Sequence, residues 1–150
     1  MKTKKVWKVK KFDELTVPEL YQIIKARVDI FVVEQDCPYP DLDGYDQKAL
    51  HLWVEEDGVV LAYCRIFPKG IKYNETSLGR VLTTEQGRGK GLGKNLFSYA
   101  VQIIENRLKT SEIRISAQDY LLHFYESFGF VDTGKKYLED NIPHTEMLRK

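Results

Sequence analysis

Residues 86–94 read Gln-Gly-Arg-Gly-Lys-Gly-Leu-Gly-Lys, with glycine at every second position from Gly87 through Gly89 and Gly91 to Gly93. Glycine at that density favours neither helix nor strand, so the stretch is a loop. A strand-like run at 77–84 precedes it, and apolar residues at helical spacing follow from 95 to 108. A strand that turns through bare backbone into a helix start offers N–H groups to an anion. Glycine lets the ligand approach closely, and the first helical turn adds unpaired donors and a partial positive charge. Phosphate or pyrophosphate is the ligand class. A glycine-rich helix start with no ligand gives the same local pattern, so both readings stand at this point.

Two common phosphate patterns fail here. A P-loop needs Gly-Lys followed by Ser or Thr, and Gly93-Lys94 is followed by Asn95. The dinucleotide pattern G-x-G-x-x-G meets Leu92, Lys94 or Leu96 where its third glycine belongs. What fits is Arg-x-x-Gly-x-Gly, at Arg88, Gly91 and Gly93.

The whole chain sets wide limits. Its 150 residues suit one domain over 1–150 with a real core. A net charge of +1 gives no general case for nucleic acid or membrane partners. Cys37 and Cys64 form neither a disulfide framework nor a metal motif, so no metal is expected and a reducing cytoplasm is the default. No signal peptide, spanning segment or internal repeat is visible.

Lysines crowd the start at Lys2, Lys4, Lys5, Lys8, Lys10 and Lys11, interleaved with Val6, Trp7, Val9 and Phe12. A strand with lysines on a solvated face or guarding a sheet edge explains them better than a nucleic-acid arm. Thr16-Val17-Pro18-Glu19 is a capping box with proline in the first turn. Leu20, Ile23, Ile24, Arg27, Val28 and Phe31 then recur at helical spacing. Arg27 lies on or beside the apolar face, as a snorkelling side chain or as a buried partner for a carboxylate.

Residues 34–46 hold two prolines, one glycine and five carboxylates, and read as a long loop. The spacing of Asp41, Asp43 and Asp46 lacks the sixth-position glycine and the twelfth-position glutamate of a calcium loop. A loop that meets a cationic amine and a plainly solvated loop are the two readings left.

Strand-like runs at 50–56 and 59–67 flank Glu56-Asp57-Gly58, a hairpin signal. A third strand at 77–84 feeds the glycine loop. A short β-branched run at 112–117 follows the helix, and Asp119 is placed to cap another helix that ends at Gly129. The alternating tail at 144–148 closes the sheet. The sum is α/β of the α+β type: a mixed, mostly antiparallel sheet with helices on its faces.

Arg88, Gly91 and Gly93 resemble the coenzyme A pyrophosphate loop of the GNAT superfamily of N-acetyltransferases. A second signature of that superfamily is matched by Tyr125 and Gly129-Phe130, with Gln118 standing where many members have Asn. Arg27-x-x-Ile30-Phe31-Val32-Val33-Glu34-Gln35, Ala62-Tyr63-Cys64-Arg65, Gly79-Arg80-Val81 and Leu138-Glu139-Asp140-Asn141-Ile142-Pro143-His144 further resemble the ElaA-like subfamily. Asn141 departs from an expected Gly, and Asn tolerates the left-handed conformation.

The resemblance implies a GNAT fold, a twisted sheet with helices on both faces, and acetyl transfer from acetyl-CoA to a primary amine of a small molecule or peptide, directly in a ternary complex. Val81, Leu82 and Thr83 are then expected along the pantetheine arm. The pyrophosphate is expected at Arg88, Gly89, Lys90, Gly91, Leu92 and Gly93, and Gln118 beside the cofactor. Tyr125 is the implied proton donor to the leaving thiolate, against a core aromatic as the plain alternative. Glu34 and His51 are the candidate bases. Glu34 is otherwise explained as an ion-pair partner of Arg27, and His51 as a satisfied strand histidine. Arg27, Glu34, His51 and His144 are the candidate substrate residues. A homodimer is implied only by resemblance, and an acyl-CoA-binding module without catalysis is the competing reading.

Overall fold

A computed structural model of the chain describes residues 4–150, so Lys2 lies outside the described residues. β1 (Val6–Lys11) forms one edge of a four-stranded sheet ordered β1-β2-β3-β4, with β2 (Leu50–Glu56), β3 (Val59–Phe67) and β4 (Ser77–Thr83). All neighbours are antiparallel. Successive β1 side chains point to opposite faces. On one face Lys8 and Lys10 reach Glu19 of helix α1 (Val17–Arg27) at 2.8 and 2.9 Å. On the other, Trp7 stacks on Tyr99 at 5.2 Å. Two of the lysines expected at a solvated edge are therefore spent on pinning α1 to the sheet.

The capping box at Thr16 forms as the sequence indicates. Its side chain accepts from the Glu19 N–H, and Glu19 accepts from the Thr16 N–H at 2.9 Å. Beyond Arg27 the helix continues as a π-helical segment, Val28–Glu34. Asp57 and Gly58 both take positive φ, the backbone that a two-residue hairpin between β2 and β3 needs.

Alternation along the strands sorts the core into two layers. Leu52, Val54, Cys64 and Ile66 share one cluster with Leu96, Phe97, Ala100 and Ile104 of helix α2 (Leu92–Arg107). Trp53, Val60 and Tyr63 share the other with Ile23, Ala26 and Phe31. The helices thus cover opposite faces, and each large apolar side chain buried there contributes roughly 1.5–3 kcal/mol. α2 starts at Leu92, inside the glycine run and three residues before the periodic pattern begins, because Gly91 in the left-handed conformation serves as its N-cap.

The second sheet has the order β5-β7-β6, from β5 (Ile113–Gln118), β6 (Val131–Glu139) and β7 (Ile142–Arg149). The alternating tail is its central strand, inserted between the other two rather than closing an edge. Asp140 and Asn141 make the β6–β7 turn at φ 51° and 64°, so Asn141 supplies the left-handed backbone in place of glycine. Asp119 does not cap the helix after β5. Its carboxylate accepts from the Thr145 hydroxyl at 2.6 Å, and helix α3 (Leu122–Glu126) starts without a side-chain cap.

The two sheets touch through one parallel bridge, Thr76 with Ile113, where the Arg114 N–H also donates to the Thr76 carbonyl at 2.9 Å. Past that point β4 and β5 share no ladder, and a cleft opens between them.

Gly87 sits where the loop leaves β4 and crosses β3. A Cβ there would lie 2.2 Å from the Leu61 carbonyl oxygen, a backbone atom that cannot swing away. Gly87→Ala is expected to lower stability by about 1–3 kcal/mol or more, read as a denaturant midpoint. Gly79→Ala, with nothing within 4 Å of the added carbon, is expected to leave the midpoint unchanged.

Candidate active site

The cleft between β4 and β5 encloses about 610 Å³. Val81, Leu82 and Thr83 line one wall, Ser116 and Gln118 the other, and Tyr125 of α3 also lines it. β4 carries a bulge here. Ala62 pairs with Thr83, Tyr63 with Leu82 and Arg65 with Gly79, so Cys64 stands opposite both Arg80 and Val81. Arg80 takes φ 50°, which costs a non-glycine residue on the order of 1–3 kcal/mol unless its surroundings hold it. The bulge breaks the even pairing of the strand and re-aims its backbone at the cleft.

β4 leads directly into the glycine loop. Gly89 and Gly91 take φ 76° and 70°, with nothing within 4 Å of where a side chain would stand, so the backbone is bare on that side. α2 has no side-chain cap and no acidic residue in its first turn. Asn95 is the first residue to bond back, to the Gly91 carbonyl at 3.2 Å, which leaves the N–H groups of Leu92, Gly93 and Lys94 as first-turn donors. A helix start normally recruits a carboxylate. This one has Arg88, Lys90 and Lys94 around it instead, an arrangement that suits an external anion. The residues therefore fit a pyrophosphate. Arg88 is half-exposed and paired with Glu34 across the mouth of the cleft.

Glu34 therefore does not pair with Arg27. Its carboxyl is held below the usual range by Arg88. Arg27 is buried and turned away from the cleft. Its Nε donates to Asp41 at 2.8 Å, its Nη1 to Asp46 at 2.8 Å and its Nη2 to the Asp41 carbonyl at 2.9 Å. Of the two readings of Arg27, the buried carboxylate partner is the one realised. Arg65 donates to Asp46 and Asp43 at 2.8 and 2.9 Å, and Arg80 meets Asp41 at 3.0 Å. The carboxylates at 41, 43 and 46 are thus spent on Arg27, Arg65 and Arg80 rather than offered to a cation, while Glu34, Asp36 and Leu42 of the loop are exposed. Burial alone would raise Asp43 and Asp46, but the arginines outweigh it and hold both below the usual range.

His51 belongs to the same buried cluster. Its Nε2 donates to the Asp46 carbonyl at 2.9 Å and its Nδ1 accepts from the Tyr63 hydroxyl at 2.7 Å. Both nitrogens are occupied, the ring is fully buried, and burial pushes its pKa below that of a free imidazole. His51 is a satisfied strand histidine.

Tyr125 packs among Phe97, Phe124 and Phe130, at 5.2, 5.3 and 6.1 Å between ring centroids, while still lining the cleft. Burial raises its pKa well above that of a free phenol. Gln118 lies opposite His144 in the β5–β7 register and its amide reaches Gln35 at 3.5 Å. His144 is buried and lines the cleft. The structure thus gathers Glu34, Val81, Leu82, Thr83, Arg88, Gly93, Gln118, Tyr125 and His144 around the cleft, leaves Gly89, Lys90, Gly91 and Leu92 outside its lining, and separates Arg27 and His51 from it. It also adds Ser116, Tyr73 and Glu139 to the lining. Glu139 falls within the run that resembles the ElaA-like subfamily; nothing in their local sequence marks Ser116 and Tyr73, which reach the cleft from β5 and from the segment before β4.

Comparison with known proteins agrees with this geometry. A family model for the acetyltransferase (GNAT) domain matches residues 25–150. Protein ElaA of Escherichia coli (strain K12) is 34% identical over 146 residues, 96% of this chain and 95% of that protein. The crystal structure of an acyl-CoA N-acyltransferase from Pseudomonas aeruginosa superposes with a TM-score of 0.93 at 38% identity, over 98% of this chain and 100% of the other. That of Escherichia coli ElaA superposes with a TM-score of 0.90 at 33% identity, over the same shares.

The buried charges generate two expectations. Arg27→Ala leaves Asp41 and Asp46 buried with a cation missing, and should cost about 3–5 kcal/mol in a denaturant titration. Asp43 and Asp46 have depressed folded pKa values, so the stability they contribute is complete above the ordinary carboxylate range, near pH 4, and is lost as pH falls through their folded values. The melting temperature should fall below about pH 4. Asp46→Asn should start lower at pH 7 and fall less steeply.

Proposed function

This chain belongs to the GNAT acetyltransferase family, and on that premise we propose that it transfers an acetyl group from acetyl-CoA to a primary amine in one ternary complex. The observation that carries the reading is continuous: the free edge of β4, opened by its separation from β5, runs into a helix start that has no side-chain cap, is free of acid and has Arg88, Lys90 and Lys94 beside it. A pantetheine arm can pair with the first and a pyrophosphate with the second. Outward N–H groups near Val81, Leu82 and Thr83 are set to polarise the thioester carbonyl and to stabilise the developing oxyanion. Tyr125, which lines the cleft and whose phenol holds its proton at neutral pH, supplies the proton that the departing thiolate needs.

Acetyl-CoA, incubated with the protein and a panel of primary amines (amino acids, peptide N-termini, polyamines and aminosugars), should release thiol with saturation in at least one case. Tyr125→Phe should lower kcat on the order of 10²-fold while the acetyl-CoA half-saturation point holds. Saturable acetyl-CoA binding with no thiol release from any amine overturns the reading in favour of acyl-CoA capture without transfer.

A further inference from the structure

Two histidines with similar burial are set up in opposite ways. In His144 the Nδ1 lies 2.7 Å from the Ile142 carbonyl, which can only accept, so Nδ1 carries a proton, and in the neutral ring Nε2 is the nitrogen that keeps its lone pair. The ring is stacked on Tyr137 at an interplanar angle of 14°, which fixes its plane. Glu139 Oε2 stands 3.4 Å from Nε2. In the neutral ring these two atoms are both acceptors, facing each other with no proton between them. His144 and Glu139 both line the cleft. A pair of acceptors at that spacing is completed by a group that carries several N–H bonds and a positive charge.

We propose that His144 Nε2 and Glu139 together receive the acceptor substrate as its ammonium, and that His144 is the general base. The proposal rests on the acetyl-transfer reading and names its missing base. One proton passes from the ammonium to Nε2, and Glu139 stabilises the imidazolium that forms. The freed lone pair makes the C–N bond to the thioester carbonyl carbon. The C–S bond breaks with its electron pair on sulfur, which takes the Tyr125 proton. The second proton lost by nitrogen restores Tyr125, and the imidazolium proton leaves to water. The sum is an ammonium and acetyl-CoA giving amide, free thiol and one proton.

The test uses the full chain and whichever amine of the panel is turned over. His144→Gln and His144→Ala should lower kcat on the order of 10²-fold or more, with acetyl-CoA half-saturation within about threefold of wild type. Free imidazole should restore part of the turnover of His144→Ala, which a purely structural role would not allow. Turnover within about threefold of wild type in His144→Gln overturns the base assignment alone, since general acid–base catalysis contributes at least 10²-fold. No thiol release by wild type with any amine refutes the acetyl-transfer reading and the base with it. Should either variant fail to bind acetyl-CoA, ¹⁵N-histidine spectra of the wild type decide. Among the three histidines, His144 must carry its neutral-state proton on Nδ1, and an Nε2–H tautomer overturns the proposal.

Discussion

One loop neutralises three arginines that come from three different elements. Arg27 ends α1, Arg65 lies in β3 and Arg80 sits at the bulge of β4, and the carboxylates that meet them all lie between residues 41 and 46. Burying that many charges is expensive, and ion pairs in such places are weak evidence for net stability. Their effect is geometric. Each guanidinium meets two of the three carboxylates, Arg27 with Asp41 and Asp46, Arg65 with Asp43 and Asp46, and Arg80 with Asp41 and Asp43, so the loop is seated against all three elements at once. That seat holds Arg80 in its left-handed conformation. Arg80 also lies over the Tyr39 ring at 5.4 Å, and Tyr39 in turn donates to Asp41 at 2.6 Å. The bulge that re-aims the β4 backbone therefore depends on a charge cluster that includes two residues of the cleft lining, Arg65 and Arg80.

This arrangement settles where positive charge can be recognised. The loop's acidic composition suggests a cation-binding surface, but its aspartates at 41, 43 and 46 are already paired. Two carboxylates remain along the cleft lining besides Asp140. Glu34 is held by Arg88 at the pyrophosphate end. Glu139 is half-exposed and lies beside His144. On the proposed reading, an ammonium is received not at the loop that looks acidic but at the β6–β7 hairpin, whose turn the loop also touches through Cys37 Sγ and the Asp140 carbonyl at 3.5 Å.

What the sequence discloses follows from the kind of group involved. The glycine loop was legible because a backbone site imposes its own spacing: Gly87 must clear a carbonyl, and Gly91 must turn left-handed to start α2. The hairpin at 57–58 and the Thr16 cap were legible for the same local reason, whereas the turn at 140–141 was expected only from the family resemblance. Partners distant in sequence were not. Arg27 is 14 residues from Asp41 and 19 from Asp46, and nothing local prefers them to Glu34. Asp119 has the right residue type and place for a cap, but Thr145, 26 residues on, competes for its carboxylate. The tail's alternation identified a strand and could not tell a central from an edge position, since that depends on which neighbours it meets.

His51 and His144 make the point at the level of single protons. Both are strand histidines, both are buried, and both have one nitrogen held by a backbone carbonyl. In His51 the carbonyl takes Nε2 and a tyrosine hydroxyl takes Nδ1, so no lone pair is left to work with. In His144 the carbonyl takes Nδ1 from two residues away in the same strand, and the outward nitrogen is left facing a carboxylate. Residue type and burial are the same in the two cases, so neither decides which histidine can act as a base. The nitrogen that the backbone occupies decides it, and in β7 the Ile142 carbonyl, two residues back in the same strand, takes Nδ1.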